Sequence, residues 1–153
     1  MKRLNYLIGL GLLVSLTAPA VDVSKLPPPS TRKDVTYATD IKPLFEASCI
    51  KCHGADKPKA GLRLDSLAAV LKGSKEGKVI EVGKSEKSSL VIAISQLDPE
   101  LSMPPKKTNR PKPGAPAGGG GGDAAKPNQG PPPKPLTAEQ VGLVRAWIDA
   151  GAK

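Results

Sequence analysis

The sequence predicts a small all-α domain, and three observations carry that expectation. Apolar residues recur three and four apart in separate short segments. No run alternates as a strand would, and no internal repeat is visible. A long Pro/Gly-rich stretch interrupts the helical region without separating two cores, and 153 residues is a one-domain length.

The first helical segment runs from about Asp40 to Cys52. Asp40 is a suitable N-cap, Pro43 falls in the first turn where its missing N–H costs little, and Ile41, Leu44 and Phe45 share a face. Ser66 to Lys72 forms the second, stopped by Gly73. A third spans about Ser85 to Gln96, with Leu90, Val91 and Ile94 on one side, although its Val-Ile-Ala-Ile run also suits a strand. The last is the clearest. Thr137 caps it with Gln140 reaching back, and Leu136 and Val141 form a hydrophobic staple. Val141, Val144 and Ile148 join Leu143 and Trp147 in one broad apolar face, and Gly151 ends the helix.

Outside these elements the composition shifts. Residues 1–20 begin with Lys2 and Arg3, continue through an apolar run from Leu4 to Leu16, and close on Ala18-Pro19-Ala20. That is the layout of a secretory signal peptide, with cleavage expected after Ala20 and a periplasmic or otherwise exported location. The apolar run falls short of the roughly 20 residues that span a bilayer, which weighs against an uncleaved anchor or stable membrane insertion. Residues 21–37 read as a Pro-rich linker, and 38–152 as the domain. Within it, 104–135 holds the Gly118–Gly122 run and Pro131-Pro132-Pro133 and reads as a disordered insertion. Closure entropy grows slowly with loop length, so a surface insertion of this size is tolerable.

The formal net charge is +9. A basic surface can bind nucleic acid, anionic lipid or an acidic protein. Export and the lack of basic residues interleaved with aromatics argue against nucleic acid. An acidic-surfaced protein partner then stands against a plain solubilising role for the scattered lysines. Aromatic residues are scarce: one Trp, two Tyr and one Phe. Tyr6 lies in the leader, leaving Tyr37, Phe45 and Trp147 to offset the conformational entropy of folding. Some other apolar bulk is expected at the centre.

Cys49-Ile50-Lys51-Cys52-His53 supplies a reason for it. Two thiols three positions apart can add to the two vinyl groups of a haem, and the next residue directs an imidazole at the iron. The pattern reads as c-type haem attachment, with one covalent haem c. Structural zinc needs four ligands, and beyond these two Cys and one His the chain offers no further Cys or His. A thioredoxin-like pair needs a strand–helix–strand setting, and a Cys49–Cys52 disulfide is geometrically poor and leaves His53 without a role.

The sixth iron position follows by elimination. His53 is the sole histidine, and once Met1 leaves with the leader Met103 is the sole thioether. Met103 sits in Leu101-Ser102-Met103-Pro104-Pro105, a stiff polar setting that suits a ligand better than a core filler. Lysines 106 and 107 offer the rival ligand. Phe45, one turn before Cys49, and Trp147 on the last helix are expected to pack together and shield a haem edge.

These residues also resemble a known family. Asp40-Ile41-Lys42-Pro43-Leu44-Phe45 leading into Cys49-x-x-Cys52-His53-Gly54 looks like the opening of small class I cytochrome c domains. Lys59-Ala60-Gly61-Leu62-Arg63-Leu64-Asp65-Ser66 is similar to the cytochrome c domain first noted in planctomycete proteins. Gly83-Lys84-Ser85-Glu86-Lys87-Ser88, Met103-Pro104-Pro105 and Trp147-Ile148-x-x-Gly151-Ala152 match it as well. The resemblance covers about 38–106 and 136–152. It implies a class I cytochrome c fold used for electron transfer. Cys49 and Cys52 would be the attachment sites, His53 the proximal ligand and Met103 the distal one. The long insertion directly after Met103 departs from the short connection usual in the family.

The functional expectation is a monomeric, periplasmic one-electron carrier with His/Met-ligated iron, serving redox partner proteins and performing no catalysis. One alternative is an electron-entry or docking subunit of a larger redox enzyme. Another is an open-site haem peroxidase or gas sensor, for which no second histidine remains as an acid–base group.

Overall fold

The computed structural model describes residues 21–56, 58–105 and 133–153. The expected leader and most of the 104–135 insertion lie outside the described residues. Five short α-helices and no strand occur among them: α1 (Lys42–Ser48), α2 (Ile50–His53), α3 (Leu67–Lys72), α4 (Ser89–Ile94) and α5 (Ala138–Asp149). The small all-α architecture expected from the periodicity is therefore the one observed.

The first segment differs from expectation at both ends. Asp40 is not an N-cap. A π-helical turn, Tyr37–Ile41, precedes α1, and Thr36 caps it by accepting from the Thr39 N–H at 3.3 Å. Asp40 reaches back instead, its Oδ2 accepting from the Thr36 N–H at 2.9 Å and its Oδ1 from Arg32 at 2.7 Å. Helical geometry starts upstream of the expected point, so the acid serves the orphan donors of that turn from its far end. The chain then leaves helical geometry at Cys49 (φ −123°, ψ −39°), dividing the expected 40–52 helix into α1 and α2. No proline or glycine marks that break, whereas Pro43 does lie in the first turn of α1.

Later elements follow the sequence more closely. The Ser66 side chain caps α3 by accepting from the Ala69 N–H, and Gly73 follows as its C-cap. α4 is a helix rather than a strand, with Leu90, Val91 and Ile94 buried, and Ser85–Lys87 forms a separate 3-10 turn before it. α5 carries both halves of the capping box: the Thr137 hydroxyl accepts from the Gln140 N–H at 3.3 Å, and the Gln140 side chain accepts from the Thr137 N–H at 2.9 Å. Val141, Val144, Trp147 and Ile148 are buried on it.

Residues 21–36 do more than the expected linker. Leu26 and Val35 enter the core. The Ser30 N–H donates to the Gly142 carbonyl at 2.9 Å, and the Arg145 guanidinium donates to the Pro27 carbonyl. The segment crosses α5 so closely that a Cβ at Gly142 would lie 2.6 Å from the Pro28 oxygen. An extended chain needs no helical period to bury isolated apolar residues, which is why composition alone suggested a spacer.

The core gathers Ile41, Phe45, Val70, Val91, Ile94, Val144, Trp147 and Ile148, all at 1% exposure or less. Phe45 and Trp147 do share it, but Tyr37 stands between them: its ring lies 6.4 Å from Phe45, edge-on, and 5.9 Å from Trp147. Buried Ser85 is fully engaged. Its N–H and hydroxyl donate to the two Asp149 oxygens at 2.8 and 2.9 Å, and its Oγ accepts from Arg145 at 3.0 Å.

Candidate haem site

Cys49 stands at the junction of α1 and α2, one turn after fully buried Phe45, to whose carbonyl its N–H donates at 2.7 Å. Its own carbonyl accepts from the Cys52 and His53 N–H groups at 3.0 and 2.9 Å. The three expected attachment residues thus share a single hydrogen-bonded turn. Both thiols are unpaired and half-buried. Burial, with a smaller effect of Cys52 beside it, pushes the Cys49 thiol up to about 11. A reactive redox cysteine has its pKa lowered, so a neutral, desolvated Cys49 argues against the thioredoxin-like alternative. Among the described residues no group of three or more His, Cys, Asp or Glu side chains is placed to hold a metal.

His53 is oriented from outside its own helix. The chain leaves α2 at Gly54, packed so tightly that a Cβ there would lie 2.7 Å from the Ile50 carbonyl oxygen. It then reverses through the Lys59–Gly61 turn and runs back as extended residues 62–64. The Leu62 carbonyl lies 3.2 Å from His53 Nδ1, and the Leu64 N–H donates to the His53 carbonyl at 2.7 Å. With Nδ1 as the donor to Leu62, Nε2 carries the lone pair available to a metal. Leu64 is itself held by Tyr37, whose phenol donates to its carbonyl at 2.9 Å.

Met103 lies on a separate element, the loop after α4, and its side chain is 40% exposed, so it does not fill the core. Its N–H donates to the Ala93 carbonyl at 2.9 Å. The rival lysines 106 and 107 fall outside the described residues. Two unpaired thiols and an imidazole on one turn, with an exposed thioether on a separate loop, are the donor types that suit a c-type haem.

Sequence reasoning missed the support for these ligands. Tyr37 was one of few aromatics, yet its isolated position gave no period to place it. The alternation Leu62-x-Leu64 was the available sign of an extended segment presenting one carbonyl toward His53 while burying Leu64.

The arrangement defines a small all-α cytochrome c-like domain. Residues 49–107 match the family model described as Planctomycete cytochrome C, which supports a cytochrome c-like domain there. No curated protein and no solved structure matches the chain. The family match supports a haem c cytochrome and suggests an electron carrier. Among the described residues no helix is long and apolar enough to cross a membrane.

Proposed function

We propose that the protein is a periplasmic mono-haem cytochrome c that carries single electrons through His53/Met103-ligated iron. The observation that carries this reading is the Cys49–His53 turn with His53 Nδ1 beside the Leu62 carbonyl; with Nδ1 as the donor, Nε2 keeps a lone pair that suits iron. Haem c bound there supplies a one-electron ferric/ferrous couple.

The chain's own residues hold and tune it. Cys49 and Cys52 would hold the macrocycle through thioether bonds. Hydrogen bonding to Leu62 fixes the His53 ring and raises its basicity. As a ligand, the Met103 thioether would favour the ferrous form and raise the potential. Phe45, Tyr37 and Trp147 give α1 and α2 a rigid backing. The lysine-rich surface suits redox partners with acidic faces.

The test is a visible spectrum of the exported protein, oxidised and reduced, followed by acid–acetone extraction. Haem that resists extraction, together with the weak red-edge sulfur-to-iron band of the ferric form, is the expected result. Covalent haem without that band would exclude Met103 as ligand. Absence of haem would refute the reading altogether.

A further inference from the structure

We propose that Gln96 is a positioning residue that clamps the Met103 loop and so holds its sulfur where it can serve as an axial ligand, an inference that rests on the His53/Met103 reading above. Gln96 follows Ser95, the C-cap of α4. Its φ is +59°, the left-handed conformation that helices adopt one residue past the cap. Glycine or asparagine is the usual choice there, because a longer side chain carries a steric cost. This chain places a long amide instead.

The side chain gives the reason. Nε2 donates to the Met103 carbonyl at 2.8 Å and to the Pro104 carbonyl at 3.2 Å. Both partners are acceptors, so the nitrogen of the amide must be the atom facing them. One group therefore grips the backbone on both sides of the Met103–Pro104 bond. Its Oε1 is meanwhile buried with no hydrogen-bond partner among the described residues. Leaving such an acceptor unmet is costly, so the residue is not at its most stable for the helix end alone.

Other bonds within the loop act around Met103 rather than on its carbonyl. Asp98 Oδ1 accepts from the Glu100 and Leu101 N–H groups at 2.8 and 3.4 Å, and buried Ser102 donates to the Asp98 carbonyl. These shape residues 98–102. The Met103 N–H reaches Ala93 on α4, and Gln96 secures the carbonyl side of the same residue to the same helix end. With both sides held, the thioether has little backbone freedom to leave a ligand.

The experiment compares the haem-loaded full chain with Gln96→Glu and Gln96→Gly. Gln96→Glu keeps the length and, ionised at neutral pH, loses both donors. Gln96→Gly loses the clamp while relieving the left-handed backbone. Ferric wild-type protein should show the sulfur-to-iron band; its absence would overturn the His/Met reading and this inference together. Given the band, both variants should weaken it. Both should also bind added imidazole about tenfold more tightly, equivalent to about 1.4 kcal/mol, because imidazole then displaces a looser sulfur. The Gly variant should do so with its guanidinium midpoint unchanged or raised, which a purely structural role does not give. Wild-type band and imidazole affinity in both variants would overturn the role of Gln96 and leave Met103 ligation standing. Should Gln96→Glu fail to fold, the Gly variant decides alone by the same two readings.

Discussion

Replacing Tyr37 by phenylalanine removes one oxygen atom from the core and leaves the ring contacts to Phe45 and Trp147 in place. The phenol of this buried residue donates to the Leu64 carbonyl at 2.9 Å, and Leu64 is 2% exposed. The substitution therefore leaves a buried acceptor without this donor, at a cost of about 1–3 kcal/mol. At about 4–8 °C of Tm per kcal/mol for a domain of this size, the loss should be plain in thermal or guanidinium unfolding. Trp147, the sole tryptophan, is the fluorescent probe.

The same phenol gives an independent signature in alkali. Burial, then the charges of Asp65 and Glu46, push its pKa up to about 12 from 10.0. Above pH 10 the unfolded chain releases this proton while the folded one keeps it. Stability is therefore complete below pH 10 and falls as pH rises toward 12, by up to about 1.4 kcal/mol per unit. Lysines titrate in the same range, so the quantity to measure is the difference between wild type and Tyr37→Phe, which should narrow across that window. Equal midpoints at neutral pH with parallel alkaline losses would refute both the hydrogen bond and the burial argument.

Other substitutions test separate parts of the fold. Gly142→Ala puts a Cβ 2.6 Å from the Pro28 oxygen and should cost about 1–3 kcal/mol by lifting residues 27–30 from α5; unchanged stability with unchanged proteolysis of that segment would show that it is only loosely laid there. Thr137→Ala breaks the capping box of α5 and should lower stability by about 1 kcal/mol in denaturant titration. A Cys49→Ala, Cys52→Ala chain, unable to attach haem, should lose most of its helical circular dichroism; a spectrum that keeps it would show that the protein core carries the fold unaided.

What the sequence revealed was what neighbouring residues determine among themselves. Cys49, Cys52 and His53 were legible because five consecutive residues carry the pattern. α3 and α5 were legible because their caps lie within three residues of their first turns. The break at Cys49 was hidden because the 3.6-residue period of Ile41, Leu44 and Phe45 gives no sign of where packing ends it. Asp40 was misplaced because a carboxylate that serves a helix start can do so from within the first turns as well as from the cap. Leu26 and Val35 were overlooked as core members because extended residues reach the interior through tertiary contact, with no local period to announce it.

That division explains how so short an element can hold a ligand. α2 spans only Ile50–His53, far below the length at which a helix persists by itself. Its geometry must come from its surroundings, and a chain of hydrogen bonds shows the route. His53 is met by Leu62 and Leu64, and Leu64 by Tyr37. The Tyr37 N–H and the Trp147 indole both donate to the Lys153 carbonyl oxygen, at 2.9 and 2.8 Å. The orientation of His53 is thereby tied to α5, the most strongly specified helix of the sequence. Residues within one turn name the site, while residues from the far end of the described chain keep it rigid; a motif search sees the first and folding energetics supply the second.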